Sequence, residues 1–158
     1  MMKKIFLPLS FIILLKSYAA QKFYINPTGT YKLVGKTIKK DGDIYGYFGQ
    51  IQVKTISNDK IIMTFEINKG APSYNSGSFV DTLTYKNNIA IYTNPNADST
   101  CRISFSFDKK GVKVIEETAD CNSGCGFGHA VVASGFYSRI SKKTPILITP
   151  LTGERIEP

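Results

Sequence analysis

The sequence has few of the residue types that carry most enzyme chemistry. It contains no tryptophan, one histidine and three cysteines in 158 residues. No Gly-x-Ser-x-Gly elbow, paired-histidine zinc motif, P-loop or dinucleotide-binding glycine pattern occurs. These absences exclude the enzyme classes that depend on such motifs. We therefore predict no catalytic residue, no metal site and no cofactor.

Long hydrophobic runs are also missing, with one exception near the start. Residues 5–15 form an apolar run of 11 residues, well short of the roughly 20 that span a bilayer. Two lysines precede it, and Ser17 and Ala19 supply the small residues of a cleavage site. We predict a secretory signal peptide over 1–19, with a transmembrane anchor as the alternative. No cysteine precedes Cys101, which excludes a lipoprotein cysteine, so we expect a secreted or periplasmic bacterial protein without a membrane span.

A strong charge of one sign is absent from the mature chain. The whole sequence has a formal net charge of +8, which falls to +5 when the three leader lysines are removed. There are only three arginines, and the lysine pairs lie apart, at 39–40, 109–110 and 142–143. Nucleic-acid binders cluster their basic residues on one face, so we predict no nucleic-acid partner. Attraction to an anionic surface is the alternative to solvated turn lysines.

Long helical stretches rich in Ala, Glu and Leu are missing, and short runs of alternating apolar and polar residues take their place. Such period-two alternation is typical of strands with one buried face. Turn residues separate the runs, most clearly at Asp41–Gly42, at Asn87–Asn88 and at 108–111. The pattern predicts eight strands, at 29–38, 45–56, 60–68, 78–85, 89–93, 101–107, 112–118 and 129–140.

The short connections predict antiparallel strands that neighbour one another in chain order. Eight such strands remove their exposed edges by closing into a barrel. We predict an all-β fold: a single eight-stranded antiparallel up-and-down barrel of the calycin-like kind over 20–140. A two-sheet β-sandwich is the alternative. Residues 141–158 contain three prolines, which predicts a tail that is flexible or packed over a barrel end.

The three cysteines, in an exported chain, predict one disulfide and one leftover thiol. Pairing the strands on either side of the 108–111 turn places Cys101 opposite Thr118, within reach of Cys121 or Cys125. We favour Cys101–Cys125, because the glycines around Cys125 let the chain double back. Cys101–Cys121 is the alternative, and a Cys121–Cys125 bridge would constrain little.

Two catalytic or metal-binding interpretations of this region deserve comparison with the disulfide. Cys125 and His129 could form a thiolate–imidazole pair, and three cysteines with His129 could bind zinc. Neither has the expected orienting residue or ligand spacing, so we predict a structural role, with His129 as a pH-sensitive contact the alternative. Asp81 shares a strand face with Phe79 and Leu83; it is either a buried carboxylate that needs a partner or a solvated one.

The best candidate for recognition is the longest polar loop, at 72–77. It combines an aromatic ring with small polar residues, a composition that suits contact surfaces. The glycine-rich loop before the last predicted strand adds an aromatic and the single histidine. The predicted binding residues are Pro72, Ser73, Tyr74, Asn75, Phe127 and His129.

The stretch from Cys125-Gly126-Phe127-Gly128-His129 to Gly135-Phe136-Tyr137-Ser138-Arg139 resembles the end of small secreted bacterial β-proteins. These include lysozyme-inhibitor-like and other periplasmic domains, and the likeness covers about fifteen residues. It implies an envelope setting and a non-enzymatic role, although positive charge disfavours encounter with basic lysozymes.

From composition, motifs and this resemblance we expect a non-catalytic binding protein with a protein partner. An inhibitor of an envelope hydrolase or toxin is one such role. The alternative is a lipocalin-like carrier of a small hydrophobic ligand, because an eight-stranded barrel can enclose one. A small enzyme of unknown reaction is the third class.

Overall fold

The structure is a computed structural model that describes residues 23–94, 96–97, 99–119, 125–129 and 131–156. The predicted signal peptide and Cys121 lie outside the described residues. All regular secondary structure in the described part is β-strand. In that part, no helix has the length and apolarity needed to cross a membrane.

Nine strands form one sheet. They are β1 (Gly29–Leu33), β2 (Ile38–Lys40), β3 (Asp43–Ser57), β4 (Lys60–Gly70), β5 (Ser76–Lys86), β6 (Ile89–Tyr92), β7 (Arg102–Phe107), β8 (Gly111–Glu117) and β9 (Gly135–Ser141).

Eight of these strands close into an antiparallel barrel, as predicted. β3 to β9 pair in chain order, and β1 pairs with both β3 and β9. Tyr31 shows the closure directly, since it lies opposite Ile51 on one side and Arg139 on the other. The predicted pairing across the 108–111 turn is also confirmed, with Phe107 opposite Val112. The two-sheet sandwich is therefore wrong.

The ninth strand corrects the prediction of a continuous first strand at 29–38. The chain leaves the barrel after Leu33 and returns as β2, which pairs only with β3. Gly46 shows why: its φ is 92°, and a Cβ there would collide with the carbonyl oxygen of Lys36. This close approach folds β2 onto the first part of β3, so that the two form a hairpin extending beyond the barrel.

The last predicted strand, at 129–140, is also too long at its start. β9 begins at Gly135, and residues 131–134 are irregular. The N–H of Ala133 donates to the side chain of Glu116 instead of to a strand partner. The Glu116 carboxylate thus takes the place of a neighbouring strand as acceptor at Ala133. The alternation of apolar residues in the sequence gives no sign of this.

The barrel interior is filled with side chains. Phe65 lies at its centre and is fully buried. Four aromatic rings surround Phe65 with centroids 5.3 to 5.9 Å away: Phe79, Phe105, Phe127 and Tyr137. Edge-to-face and offset-stacked pairs at this distance add to the stabilisation from burial. The core is thus built around one aromatic cluster.

The disulfide joins Cys101 to Cys125, as predicted, with the two Cα atoms 5.0 Å apart. Both cysteines are buried. The bridge connects the start of β7 to the loop that precedes β9. It therefore anchors that loop to the barrel wall.

The proline-containing tail lies along the outer wall of β3 and β4 rather than over a barrel end. A bridge between Ile148 and Arg155 folds it into a small hairpin. A surface groove separates this hairpin from Gln50 and Thr64. Leu147 is buried, so this part of the predicted tail is packed against the barrel and is not a free end. The packing gives β4 cover on both faces.

The two ends of the barrel differ. The segment 23–28 crosses one end, which we call the closed end. There the side chain of Asn88 accepts from the N–H of Ile25 and donates to the carbonyl of Phe23, and Tyr85 donates its hydroxyl to Ile25. At the opposite end, the loop end, lie the β2–β3 hairpin and the loops 71–75 and 125–134.

Candidate functional site

The loop end brings together residues from two of the predicted binding segments. The side-chain amide of Asn75 donates to the carbonyl of His129 over 2.9 Å. The N–H of Gly128 donates to the carbonyl of Ser76 over 2.8 Å. The loop after β4 and the loop before β9 therefore form one connected surface, although they are far apart in sequence.

Main-chain hydrogen bonds hold the loop 71–75 in place. The N–H of Ala71 donates to Ile44, and the N–H of Tyr74 donates to Gly70. Pro72 and Ser73 lie exposed at the tip. Because the backbone is fixed at both ends, the exposed ring of Tyr74 is presented in a defined position.

Tyr74 is also held through its hydroxyl, which donates to a carboxylate oxygen of Asp43. This hydrogen bond is the main reason that the pKa of Tyr74 rises to about 12, with smaller contributions from desolvation and from the charge of Asp43. A raised pKa means that the neutral phenol is the stabilised form. The contact is therefore present below pH 10 and is lost as the pH rises through about 12.

Phe127 does not belong to the exposed surface, so its assignment as a binding residue needs correction. Its side chain is only 9% exposed, and its ring stacks on Phe65. Gly77 lies directly against the ring and leaves no room for a Cβ. Phe127 therefore closes the barrel interior from the loop end. His129, by contrast, is exposed.

The sequence prediction missed the apolar residues of the β2–β3 hairpin. Ile38 lies opposite Tyr45 across the two strands, so their side chains share a face. Asp43, which binds Tyr74, lies two residues from Tyr45 on the same strand and hence on that face. The Asp41–Gly42 turn was recognised from the sequence, but it did not show that the apolar residues beside it would be exposed.

Two exposed valines also lie at the loop end. Val34 and Val132 line a groove of about 510 Å³, together with Tyr47. We use the name apolar rim for five side chains at the loop end that are between 38% and 66% exposed: Val34, Ile38, Tyr45, Tyr74 and Val132. Exposed apolar patches, unlike singly scattered apolar residues, mark interaction surfaces.

Glu116 holds the loop before β9 in place through hydrogen bonds. Its two carboxylate oxygens accept the N–H groups of Cys125 and Ala133, over 3.3 and 2.6 Å. Its own N–H donates to the hydroxyl of Ser134 over 2.9 Å. One partly buried side chain thus holds both ends of the loop 125–134.

We expect Glu116→Gln to lower the free energy of unfolding by about 1–3 kcal/mol, because a charged acceptor of two N–H groups is lost. Urea denaturation of the mature protein measures this change. The matched control is Glu117→Gln, whose exposed carboxylate makes only a 3.9 Å contact with Arg102 and should change stability by less than about 0.5 kcal/mol. Equal effects of the two substitutions would contradict the anchoring role.

The disulfide bears directly on the catalytic and zinc-binding interpretations of Cys125. Cys125 is oxidised in the disulfide, so it is neither a nucleophile nor a zinc ligand beside His129. Among these residues, no group of three His, Cys, Asp or Glu side chains is arranged to hold a metal ion. Comparison of the chain with models of known protein families, with curated proteins and with solved structures finds no match. The geometry of the loop end is therefore the main guide to function.

Proposed function

We propose that this chain is a secreted or periplasmic, non-catalytic binding protein whose partner is another protein. The observation that supports it best is the apolar rim, which lies at the loop end of a barrel with a filled interior. Burying exposed aliphatic and aromatic side chains is the main favourable contribution in protein association. Tyrosine is also enriched at the sites that dominate binding energy.

The rim is suited to binding because its backbone is already ordered. The β2–β3 hairpin and the loop 71–75 are linked by the N–H of Ala71 and by the Tyr74–Asp43 contact. A surface that does not have to become ordered loses less conformational entropy on association. Lys39 and Lys40 belong to the same hairpin, Lys36 lies just before it, and all three would favour encounter with an acidic partner.

An inhibitor of an envelope hydrolase or toxin is the role that this shape fits best. The β2–β3 hairpin projects beyond the barrel and carries Ile38 and Tyr45 on one face. Enzyme active sites are concave, and a projecting apolar hairpin is complementary to a concave surface.

The lipocalin-like carrier is a second candidate and requires space inside the barrel. The cluster around Phe65 occupies that interior, which favours a protein partner over a small ligand. Native mass spectrometry of the mature protein tests the carrier, because a retained hydrophobic ligand would add a defined mass to the folded chain.

A binding experiment tests the proposed function. The mature protein is immobilised and exposed to the envelope and secreted proteins of the bacterium that produces it. The proteins that it retains are then quantified. We expect Ile38→Glu to abolish retention of the specific partner, because a charge at the centre of a buried interface stays unpaired. Ile140→Glu is the matched control: Ile140 is 55% exposed but lies on β9, outside the rim.

The result has two readable outcomes. Loss of one retained protein with Ile38→Glu, and its recovery at wild-type level with Ile140→Glu, supports binding through the rim. Equal retention by wild type and both variants would contradict it. If the retained protein is a hydrolase, adding wild-type protein should lower its activity, and the Ile38→Glu variant should not.

A further inference from the structure

A second surface lies on the barrel wall, where β5 and β6 separate. The ladder between β4 and β5 contains nine residue pairs, from Lys60↔Thr84 to Asn68↔Ser76. The ladder between β5 and β6 contains only two, Tyr85↔Ala90 and Lys86↔Ile89. We use the name seam for the gap between β5 and β6 beyond these two pairs. Within the described part of the chain, β5 has no ladder partner on this side between Val80 and Thr84.

The open side of β5 carries main-chain groups suited to another strand. Alternate residues of an antiparallel strand direct their N–H and C=O groups to opposite neighbours. The N–H of Tyr85 donates to Asp59 over 2.7 Å, on the β4 side, so Val80 and Thr82 face the seam. The N–H of Thr82 donates to the carboxylate of Asp81 over 2.7 Å. This carboxylate occupies the position that the carbonyl of a neighbouring strand would take.

The seam does not expose the core, which explains how the fold tolerates it. The ring of Tyr92, at the end of β6, stacks on the ring of Phe79 in β5, with ring centroids 3.9 Å apart. The outer part of the seam is a groove of about 520 Å³. It is lined by Leu83, Ile89 and Ile91, by three threonines, and by Asp81, Lys86 and Asn87. An incoming strand would therefore find apolar side chains beside it and a covered core beneath it.

Asp81 gives the seam a charge preference. It shares one side of β5 with Phe79 and Leu83, yet its side chain is exposed, and among the described residues no strand pairs with β5 beside it. Tyr92 stacks on Phe79, which lies two residues from Asp81 on the same strand. Burial is the main cause of the raised pKa of Tyr92, and the negative charge of Asp81 adds to it. No cationic side chain among the described residues forms an ion pair with Asp81.

We propose that the seam is a docking site for an extended segment of a partner protein, which adds as a strand to β5 and places a lysine or arginine at Asp81. The basic side chain would draw the carboxylate away from Thr82, and the released N–H would join the new ladder. Strand addition of this kind uses main-chain hydrogen bonds for affinity and side-chain contacts for selectivity. This site is separate from the apolar rim and does not depend on the function proposed for it.

A second copy of the chain is a poorer occupant than a basic segment. Antiparallel pairing of two β5 edges about Thr82 would place the two Asp81 carboxylates as diagonal neighbours on one face. Like charges at such positions destabilise a strand pair. Asp81 therefore discourages self-association while it attracts a basic segment.

The experiment uses a phage-displayed library of random linear peptides about ten residues long, a length that covers a typical strand and its flanks. Peptides selected on the mature protein are synthesised, and their Kd values are measured for wild type and two charge-reversal variants. We expect selected peptides with β-branched residues and a basic residue. Asp81→Lys should weaken binding by about tenfold or more. Glu117→Lys, an equal charge change at an exposed site outside the seam, should alter Kd by less than about twofold.

Hydrogen exchange identifies the surface that the peptide covers. Strand addition predicts new protection of the N–H groups of Val80 and Thr82 in the complex. A thermal denaturation curve like that of wild type confirms that Asp81→Lys is folded, and Thr82→Val, which keeps the N–H, should retain the affinity. The proposal is overturned if no peptide is selected, if protection appears only elsewhere, or if the seam amides become protected through dimer formation without peptide.

Discussion

Replacing Phe65 by alanine is expected to lower the free energy of unfolding by about 3–5 kcal/mol, the range for removal of a buried aromatic ring. Phe65 has no exposed surface, and it is the residue that the four other rings of the central cluster share. Its loss would leave a cavity that strands on opposite sides of the barrel cannot collapse to fill. A domain of this size is stable by only about 5–15 kcal/mol, so the effect is a large fraction of the total.

Chemical denaturation of the mature protein with urea measures this change through the transition midpoint. Phe23→Ala is the control, because Phe23 is the most exposed aromatic residue of the described chain, and it should change stability by less than about 0.5 kcal/mol. A loss below about 1 kcal/mol for Phe65→Ala would mean that the interior is loosely packed. That outcome would also restore the carrier as a candidate, since a loosely packed barrel can admit a ligand.

Removing the disulfide is expected to destabilise the protein by about 3 kcal/mol. Cys101 and Cys125 are 24 residues apart, and closing a loop of this length in the unfolded chain accounts for that value in the chain-entropy model. The change is made by the double substitution Cys101→Ser and Cys125→Ser. It should also loosen the loop 125–134, which the bridge and Glu116 hold together.

Thiol counting under denaturing conditions provides the matching chemical measurement. The mature wild-type protein should contain one free thiol, and Cys121→Ser should remove it without altering the denaturation midpoint. Two or more free thiols in protein purified without reductant would show that the bridge is absent. Reducing the wild type should shift its midpoint as far as the double substitution does, which separates loss of the bridge from effects of the serines.

The residues that determined the barrel prediction act over short distances. In β4, the odd-numbered residues from Ile61 to Ile67 are buried in the interior, as period-two alternation predicts. Asn87 and Asn88 both adopt positive φ, as a tight turn requires. Local turn chemistry and alternation therefore sufficed for most strand positions and for the antiparallel order of the eight barrel strands, but not for the ninth strand, β2.

The candidate site was only partly predictable, because it depends on contacts between distant segments. Tyr74 and Asn75 were identified by composition, and both lie at the loop end. Ile38 and Tyr45 were not identified as site residues, because the alternation around them resembles that of a strand inside the barrel. Phe127 was misassigned because nothing in its own glycine-rich loop shows that Gly77, fifty residues earlier, leaves space for its ring.

By itself, the sequence determined the features set by neighbouring residues, namely the alternating strands and the turn positions. From these features, barrel closure and the favoured disulfide could be predicted. The tertiary structure decided which loops share one end, that the tail covers the outer wall of β3 and β4, and that β5 and β6 separate after two residue pairs. The physical reason is that turn and strand preferences come from steric effects within a few residues. Loop neighbours, outer-wall packing and ladder length depend instead on how the whole barrel closes.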